Sequence, residues 1–298
     1  MKILYGSSNN NIDVTDICLS KLNNNNIITI PPGDVNRSNY FTDPSPGVHK
    51  LIFILNDDNS AAYDEFCTIK INLLNNTVTT TSENDIINRL AIIHSTLKIM
   101  HGNFNEEFPE QKMAVRYLTG DERVLEIGGN IGRNSLIIAS ILKNSQNLVA
   151  LESDANIAAQ LTENRDLNNL NFHIESSALS KRKLIQRGWD TMPSDTLKNG
   201  YTWVNTISLE QLKQKYSIEF DTLVLDCEGA FYYILMDMPE ILDGINLIIM
   251  ENDYYDFSHK IYIDQILKER NFYVDYTESG GWGGCANNFF EVWKRAVV

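Results

Sequence analysis

The spacing of hydrophobic residues changes along the chain near residue 80. Before it, short runs of β-branched and aromatic residues alternate with segments rich in Pro, Gly and Asn. Ile27–Ile30 and Leu51–Leu55 are two such runs, and residues 31–34 form a turn signal, because Pro fixes φ and Gly permits positive φ. We therefore predict a small, mostly β module over residues 1–80, with one short helix after Asp13.

Beyond residue 80 the pattern predicts helices and strands in alternation. Apolar residues recur at helical spacing over 86–100 and 110–118. The predicted strands cover 124–127, 148–151, 172–174, 222–225, 245–250, 272–276 and 289–293, and further helices cover 134–142, 157–167, 209–216 and 261–270. Strands that alternate with helices in this way form βαβ units around a parallel sheet. Residues 81–298 are therefore predicted to form an α/β domain with a doubly wound sheet.

The charge of the chain excludes polyanionic partners. The 298 residues include 39 acidic and 25 basic side chains, which gives a net charge of −14. Nucleic-acid binding and anionic membranes both draw on clustered Lys and Arg, so neither is an expected partner. No apolar run approaches the ~20 residues of a membrane helix, no signal peptide is apparent, and the four cysteines are widely spaced. We predict a cytoplasmic protein and leave its oligomeric state open, a homo-oligomer included.

A glycine-rich turn between a predicted strand and a predicted helix carries the strongest chemical signal. It reads Glu-Ile-Gly-Gly-Asn-Ile-Gly, from Glu126 to Gly132. Glycines let the backbone approach a ligand closely, and this spacing fits neither the dinucleotide fingerprint nor a P-loop. The next predicted strand ends in Glu152, which could bind a ribose diol. A tight turn and a solvated strand end are the structural alternatives, but the pair together indicates an adenosine-containing cofactor without a phosphate site.

Carboxylates follow two further predicted strands. Asp226 and Glu228 follow one, and Glu251 and Asp253 follow the next. Asp226 and Glu251 would suit a hard divalent cation such as Mg²⁺, which lowers the pKa of a bound hydroxyl. Alternatively, Asp226 is itself the general base, or Glu228 simply begins a helix, where its charge favours the helix dipole. His259 lies just beyond and is a candidate base, although a lone His near a helix start is more often incidental.

The segment 280–288 is rich in glycine and carries one tryptophan. Flat aromatic faces can stack on the C–H surfaces of sugars, which makes this segment a candidate acceptor contact. The candidate acceptor-binding residues are Trp282, Tyr254 and Asn287, with Tyr255 and Trp189 as supplements. The alternative is a surface loop whose Trp packs back onto the sheet.

In this order, the motifs resemble the FkbM family of S-adenosylmethionine-dependent methyltransferases. Family members typically show an Asp-x-Gly-Ala-Asn-x-Gly turn, an acidic strand end, an Ala-Leu-Ser segment and a late Asp-x-Glu-Gly motif. The corresponding residues here are the turn from Glu126 to Gly132, Glu152, the segment 177–180, the segment 206–209 and the segment 226–229. Glu126 replaces the usual Asp, and Gly129 replaces the usual Ala. The resemblance covers residues 105–298 and implies a class I methyltransferase, Rossmann-like fold.

The resemblance also implies residue roles. The cofactor-binding set would be Glu126, Gly128, Asn130, Gly132, Glu152, Ser177, Ala178 and Asp226. Within it, the glycines and Asn130 would contact the methionine part, Glu152 the ribose, and Ser177 with Ala178 the adenine. Asp226, Glu228, Glu251 and His259 are the catalytic candidates. Because family members methylate hydroxyl groups, often on sugars, we predict an O-methyltransferase for a sugar hydroxyl of a glycan or glycoconjugate.

Two alternatives stay open at this point. One is a methyltransferase for a non-sugar small molecule, and the other is a glycan-binding or scaffold protein with an inactive methyltransferase fold. Residues 12–17 and 30–37 resemble segments of modules attached to glycan-building enzymes, including those of giant viruses. A viral source would place the protein in the host cytoplasm. The module could bind carbohydrate, dimerise the enzyme or cover a face of the catalytic domain.

Overall fold

A computed structural model divides the chain into two compact units. It describes residues 1–24, 26–56, 60–188 and 190–296. The first unit comprises Met1–Asn88 with Val274–Glu278, and the second comprises Arg89–Tyr273 with Ser279–Val298. Within the described ranges, none of the helices combines the length and hydropathy that a bilayer crossing requires.

The N-terminal unit contains two four-stranded antiparallel sheets. Its strands are β1 Lys2–Ser7, β2 Asn10–Asp13, β3 Asn23–Asn24, β4 Ile27–Ile30, β5 Leu51–Leu55, β6 Ser60–Tyr63, β7 Cys67–Asn72 and β8 Thr77–Ser82. The sheet orders are β2-β1-β5-β6 and β3-β4-β7-β8. Alternate residues of β1, β4, β5 and β7 are buried in one apolar cluster, as period-2 patterning requires. The β-rich character predicted for this region is confirmed.

Helices also occur in this part of the chain. They are α1 Thr15–Ile17, a π-helical turn Cys18–Leu22, α2 Asp34–Phe41 and α3 Glu83–Thr96. The prediction of a short helix after Asp13 agrees with α1, whereas α2 begins where only a turn was predicted. Gly33 adopts φ 86° and starts α2, which buries Arg37 and Phe41. The Pro-Gly turn signal therefore marks the start of a helix and not a link between strands.

A seven-stranded sheet forms the framework of the second unit. Its strands are β9 Val124–Ile127, β10 Leu148–Leu151, β11 His173–Glu175, β17 Thr222–Leu225, β18 Leu247–Glu251, β20 Phe290–Arg295 and β19 Phe272–Glu278, of which residues 274–278 are grouped with the first unit. The order is β11-β10-β9-β17-β18-β20-β19. The first five strands are parallel to their neighbours, and β20 is antiparallel to β18. This arrangement confirms the predicted Rossmann-like, doubly wound α/β fold.

Six helices of this unit connect the strands of the sheet or flank it. They are α4 Phe108–Tyr117, α5 Arg133–Ile141, α6 Ala155–Leu167, α7 Leu209–Tyr216, α8 Ala230–Asp237 and α9 Phe257–Glu269. From β9 the chain builds outward through β10 and β11, and it then returns to add β17 and β18 on the other side. The switch point between β9 and β17 opens a crevice at the carboxyl ends of the strands, where α/β sheets bind ligands.

A small antiparallel sheet lies between β11 and α7 in the chain and was not predicted. Its strand order is β14-β13-β15. A separate two-stranded sheet pairs β12, which precedes the small sheet in the chain, with β16, which follows it. The strands are β12 Ala178–Leu179, β13 Leu184–Arg187, β14 Asp190–Pro193, β15 Thr202–Val204 and β16 Thr206–Ile207. Strands of two to four residues are too short for hydrophobic periodicity to reveal.

Candidate functional site

The turn after β9 contains two glycines in a backbone conformation that L side chains rarely adopt. Gly128 has φ +95°, and a Cβ there would lie 1.5 Å from the backbone oxygen of Asp226. Gly132 also has φ +95°, and its Cβ would lie 2.3 Å from Cδ1 of Leu161. By contrast, Gly129 would place a Cβ 3.2 Å from the flexible side chain of Leu161. Gly128 and Gly132 thus bring the turn directly against the end of β17 and against α6.

Glu152 holds this turn in place through backbone hydrogen bonds. Asn130 adopts the left-handed conformation with φ 46°, and its N–H donates to Glu152 Oε2 over 2.9 Å. The N–H of Asp154 donates to Glu152 Oε1 over 2.8 Å. Burial raises the pKa of Glu152, and these hydrogen bonds oppose the rise. The acidic strand end that was predicted to contact a ribose therefore also organises the turn beside it.

Glu126 lies beneath the turn, within the core. Its side chain is buried and accepts a 2.5 Å hydrogen bond from Ser135 Oγ of α5. Burial raises the pKa of Glu126 to about 8. The carboxyl is therefore mostly neutral at pH 7, and its contact to α5 fixes the helix that follows the turn.

A cavity of about 400 Å³ opens at the carboxyl ends of β9, β10, β17 and β18. Eight of the predicted site residues line it, namely Gly128, Asn130, Glu152, Ser177, Ala178, Asp226, Glu228 and Glu251. Six predicted residues are described but lie outside its wall, namely Glu126, Gly132, Tyr254, His259, Trp282 and Asn287. The structure thus brings the predicted cofactor turn and the predicted carboxylates to one cavity, while the roles of the individual residues stay predictions.

The wall also contains two glutamates that sequence reasoning missed. Glu107 precedes α4 and accepts hydrogen bonds from Asn130 Nδ2 at 3.2 Å and from Arg133 Nη1 at 2.7 Å. Glu110 lies one turn further along the helix and lines the same cavity. Their i, i+3 spacing at a helix start is a usable signal, but it resembles ordinary acidic residues in a first turn. Only the packing of α4 against α5 and β18 brings them to the cavity.

Glu110, Asp226 and Glu251 form a carboxylate triad. One oxygen from each lies within 4.8 Å of the other two. Burial, together with the neighbouring negative charges, raises the pKa of Asp226 and of Glu251. Such a cluster is relieved either by shared protons or by a bound cation, and three oxygen ligands suit a hard divalent ion.

Acidic side chains outnumber basic ones in the wall of the cavity. Among the described wall residues, seven are acidic, and Arg182 is the single basic one. Arg182 forms a bidentate ion pair with Asp237 of α8, with Nε–Oδ2 and Nη2–Oδ1 distances of 2.5 and 2.6 Å. A hydrogen bond to Asp253 and burial raise the pKa of Glu228. A cavity with this balance favours cationic ligands and disfavours anionic ones.

The predicted aromatic and histidine residues lie around the cavity and not in its wall. The His259 ring stacks on Tyr232 of α8 with centroids 3.7 Å apart. Tyr254 is buried, and burial raises its pKa well above the usual value. Trp282 is half-exposed and contacts the exposed ring of Tyr255. Trp189 lies outside the described residues.

No protein-family model matches this chain, and no curated protein matches it. Solved structures similar to it include the O-methyltransferase from Bacillus cereus in complex with SAH, at 14% identity, covering 71% of this chain and 90% of that one, with a TM-score of 0.41. A ribosomal protein L11 methylase from Lactobacillus delbrueckii subsp. bulgaricus is 14% identical, covers 65% and 83%, and has a TM-score of 0.40. An rRNA methylase from Streptococcus thermophilus is 11% identical, covers 63% and 94%, and has a TM-score of 0.40. At these identities and TM-scores, the function has to be inferred from the chain's own cavity.

Proposed function

We propose that this chain is an S-adenosylmethionine-dependent O-methyltransferase that acts on a sugar hydroxyl of a glycan or glycoconjugate. The observation that carries the proposal is the single cavity lined both by the glycine turn with Glu152 and by the carboxylate triad. An adenosine cofactor with a cationic sulfonium matches a cavity that offers a ribose ligand and strong negative potential.

The proposed cofactor-binding site lies at the carboxyl ends of β9 and β10. Gly128 lines the part of the cavity where the methionine part would bind, and Glu152 lines the part where a ribose diol would donate hydrogen bonds to its carboxylate. Ser177 and Ala178 line the adjoining wall, where an adenine would pack with Leu179. When bound, the cofactor supplies an electrophilic methyl group on sulfur.

The carboxylate triad supplies the acceptor end of the site. We propose that Glu110, Asp226 and Glu251 hold a divalent cation such as Mg²⁺, since three closely spaced carboxylate oxygens are hard ligands. When bound, such an ion lowers the pKa of a coordinated hydroxyl. Glu228 lines the same wall and, in its ionised form, would take up the hydroxyl proton. Methyl transfer would join the methyl carbon to the hydroxyl oxygen, break the methyl–sulfur bond and leave a neutral thioether. If no cation binds, Asp226 is the base instead.

A neutral acceptor is supported by the charges of the wall. The single wall arginine is already paired with Asp237, so a phosphate or carboxylate on the acceptor would meet uncompensated negative charge. A sugar hydroxyl meets no such penalty. This argument also disfavours a nucleic-acid substrate, which the net charge of −14 disfavours independently.

The test is methyl transfer from labelled S-adenosylmethionine to a panel of hexoses, deoxysugars and catechols, with Mg²⁺ and with EDTA. We expect transfer to sugars that falls at least tenfold in EDTA and returns with Mg²⁺. Asp226→Asn should retain cofactor binding and lose turnover. Transfer to catechols alone would replace the sugar proposal, and full activity in EDTA would remove the cation.

A further inference from the structure

Two exposed aromatic rings lie next to each other beyond the acidic end of β18. The rings of Tyr255 and Trp282 have centroids 4.4 Å apart and planes inclined by 46°. Tyr255 is 93% exposed and Trp282 is 41% exposed. A ring as exposed as Tyr255 contributes almost nothing to the hydrophobic core. Together, the two inclined rings form a shallow apolar surface.

The loop that carries Trp282 is held in one position by its glycines. A Cβ at Gly280 would lie 2.4 Å from the Phe290 ring, and one at Gly281 would lie 2.1 Å from the Phe289 ring. A Cβ at Gly284 would lie 3.1 Å from the ring of Phe257. On both sides of Trp282 the backbone of this loop therefore packs closely against phenylalanine rings. A preformed aromatic surface costs little conformational entropy when it binds a ligand.

The chain connects this surface closely to the carboxylates of the cavity. Glu251 lines the cavity and precedes Tyr255 by four residues, a span of at most ~14 Å of extended chain. The backbone oxygen of Asp253 lies 3.1 Å from the position of a Cβ on Gly229, which directly follows Glu228. An acceptor whose reacting hydroxyl lies at Glu228 can therefore extend to the two rings.

We infer that Tyr255 and Trp282 form a distal acceptor subsite that stacks a further neutral pyranose unit, so that the acceptor is an oligosaccharide. This inference rests on the proposed function. The rings offer flat apolar faces, and Asp256, which directly follows Tyr255 in the chain, has an exposed side chain that can accept hydrogen bonds from sugar hydroxyls. An apolar platform with a few polar groups at its edge is the usual composition of a small-ligand site.

Two other occupants fit less well. A nucleobase could stack on the rings, but its phosphates would face the acidic wall of the cavity. A second copy of the chain would need roughly 800 Å² on each partner. Fully buried aromatic side chains contribute ~150–250 Å² each, so the two rings fall well short of that area.

The test compares acceptor lengths in three variants. Methyl transfer is measured on glucose, N-acetylglucosamine, xylose and rhamnose and on their di-, tri- and tetrasaccharides. For the wild type we expect KM to fall at least tenfold from monosaccharide to trisaccharide. Tyr255→Ala and Trp282→Ala should raise the trisaccharide KM about tenfold, while Trp203→Ala, which removes an equally exposed indole on β15, should not. Calorimetry with S-adenosylmethionine on each variant should give unchanged cofactor affinity.

The outcomes separate this inference from the proposed function. Failure of the wild type to bind the cofactor would overturn the proposed function. Cofactor binding with equal KM for all acceptor lengths, or with a length preference that survives both substitutions, would overturn the distal subsite alone. Cofactor binding with no transfer to any glycan of the panel would overturn the sugar acceptor of the proposed function and the distal subsite with it. Loss of a dimer in Tyr255→Ala or Trp282→Ala, with acceptor KM unchanged, would assign the rings to a second copy of the chain.

Discussion

At the scale of single residues, the neighbouring glycines Gly128 and Gly129 differ in the space that each leaves for a side chain. A Cβ on Gly128 would lie 1.5 Å from the backbone oxygen of Asp226, whereas the atom nearest to a Cβ on Gly129 would be a methyl of the Leu161 side chain, at 3.2 Å. At 3.2 Å from the nearest side-chain atom, a Cβ at Gly129 needs only a small shift of the Leu161 side chain. The geometry therefore explains why the first position tolerates only glycine.

This pair gives a matched test of the turn. Gly128→Ala should cost on the order of 3 kcal/mol or more, through overpacking and the positive φ, and should abolish cofactor binding. Gly129→Ala should fold normally and bind the cofactor within about threefold of wild type. Thermal unfolding and calorimetry measure both effects. Equal tolerance of the two substitutions would refute this description of the turn.

Glu126 provides a test by pH. Its folded pKa of about 8 lies above the ordinary value of 4.5, so between these pH values the folded state binds more protons than the unfolded state. Stability therefore falls as pH rises through this window, and the loss is complete above pH 8. Glu126→Gln keeps an acceptor for Ser135 and removes the charge. We expect its free energy of unfolding to match wild type near pH 4 and to exceed it at pH 9 by roughly 5 kcal/mol. Parallel pH profiles for the two proteins would contradict the burial argument.

The carboxylate triad gives a test that needs no acceptor. Titration with Mn²⁺, followed by calorimetry or electron paramagnetic resonance, should show one bound ion per chain. Glu110→Gln should weaken that binding at least tenfold, because one of three charged ligands is lost. Glu219→Gln removes an exposed carboxylate that pairs with Lys213 and serves as the control. Equal Mn²⁺ affinity in wild type and Glu110→Gln would exclude the triad as the site.

At the scale of elements, the predicted bounds were most accurate for buried strands and for helices with a clear capping signal. The strands β9, β10 and β17 and the helix α7 match their predicted bounds, because continuous apolar runs and a strong capping signal mark them. The small sheet of β13, β14 and β15 escaped detection because its strands are only three or four residues long. The catalytic candidates at the strand ends could be predicted from the βαβ pattern. Glu107 and Glu110 could not, because their place in the cavity depends on how α4 packs.

The small sheet also shapes the cavity and can be tested there. It contributes Leu184, Gln186, Thr191 and Pro193 to the wall, and Arg182 at its base pairs with Asp237 of α8. Because the pair is partly exposed, Arg182→Ala should lower stability by less than ~1 kcal/mol. Arg182→Ala should nevertheless weaken cofactor binding about three- to tenfold, because the ion pair that joins this wall of the cavity to α8 is lost. Lys143→Ala removes the fully exposed pair with Asp121 and should change neither quantity. An Arg182 variant with wild-type affinity would show that this link is not needed.

At the scale of the whole molecule, the net charge of −14 acquires a local meaning. Seven of the acidic side chains line one cavity, so part of the excess is concentrated where a cationic cofactor and a metal ion would bind. The fold class could be predicted from the alternation of strands and helices. The division of the chain at residue 80 stays a prediction. The role of the N-terminal module also stays a prediction, because all the chemical motifs lie in the second unit.

The measurement that tests the central claim most directly is calorimetry of the purified chain with S-adenosylmethionine and with S-adenosylhomocysteine. We predict one site per chain for both ligands with micromolar affinity, unchanged in Gly129→Ala and weakened at least tenfold in Glu152→Ala. Absence of binding for both ligands to folded wild-type protein would contradict the account.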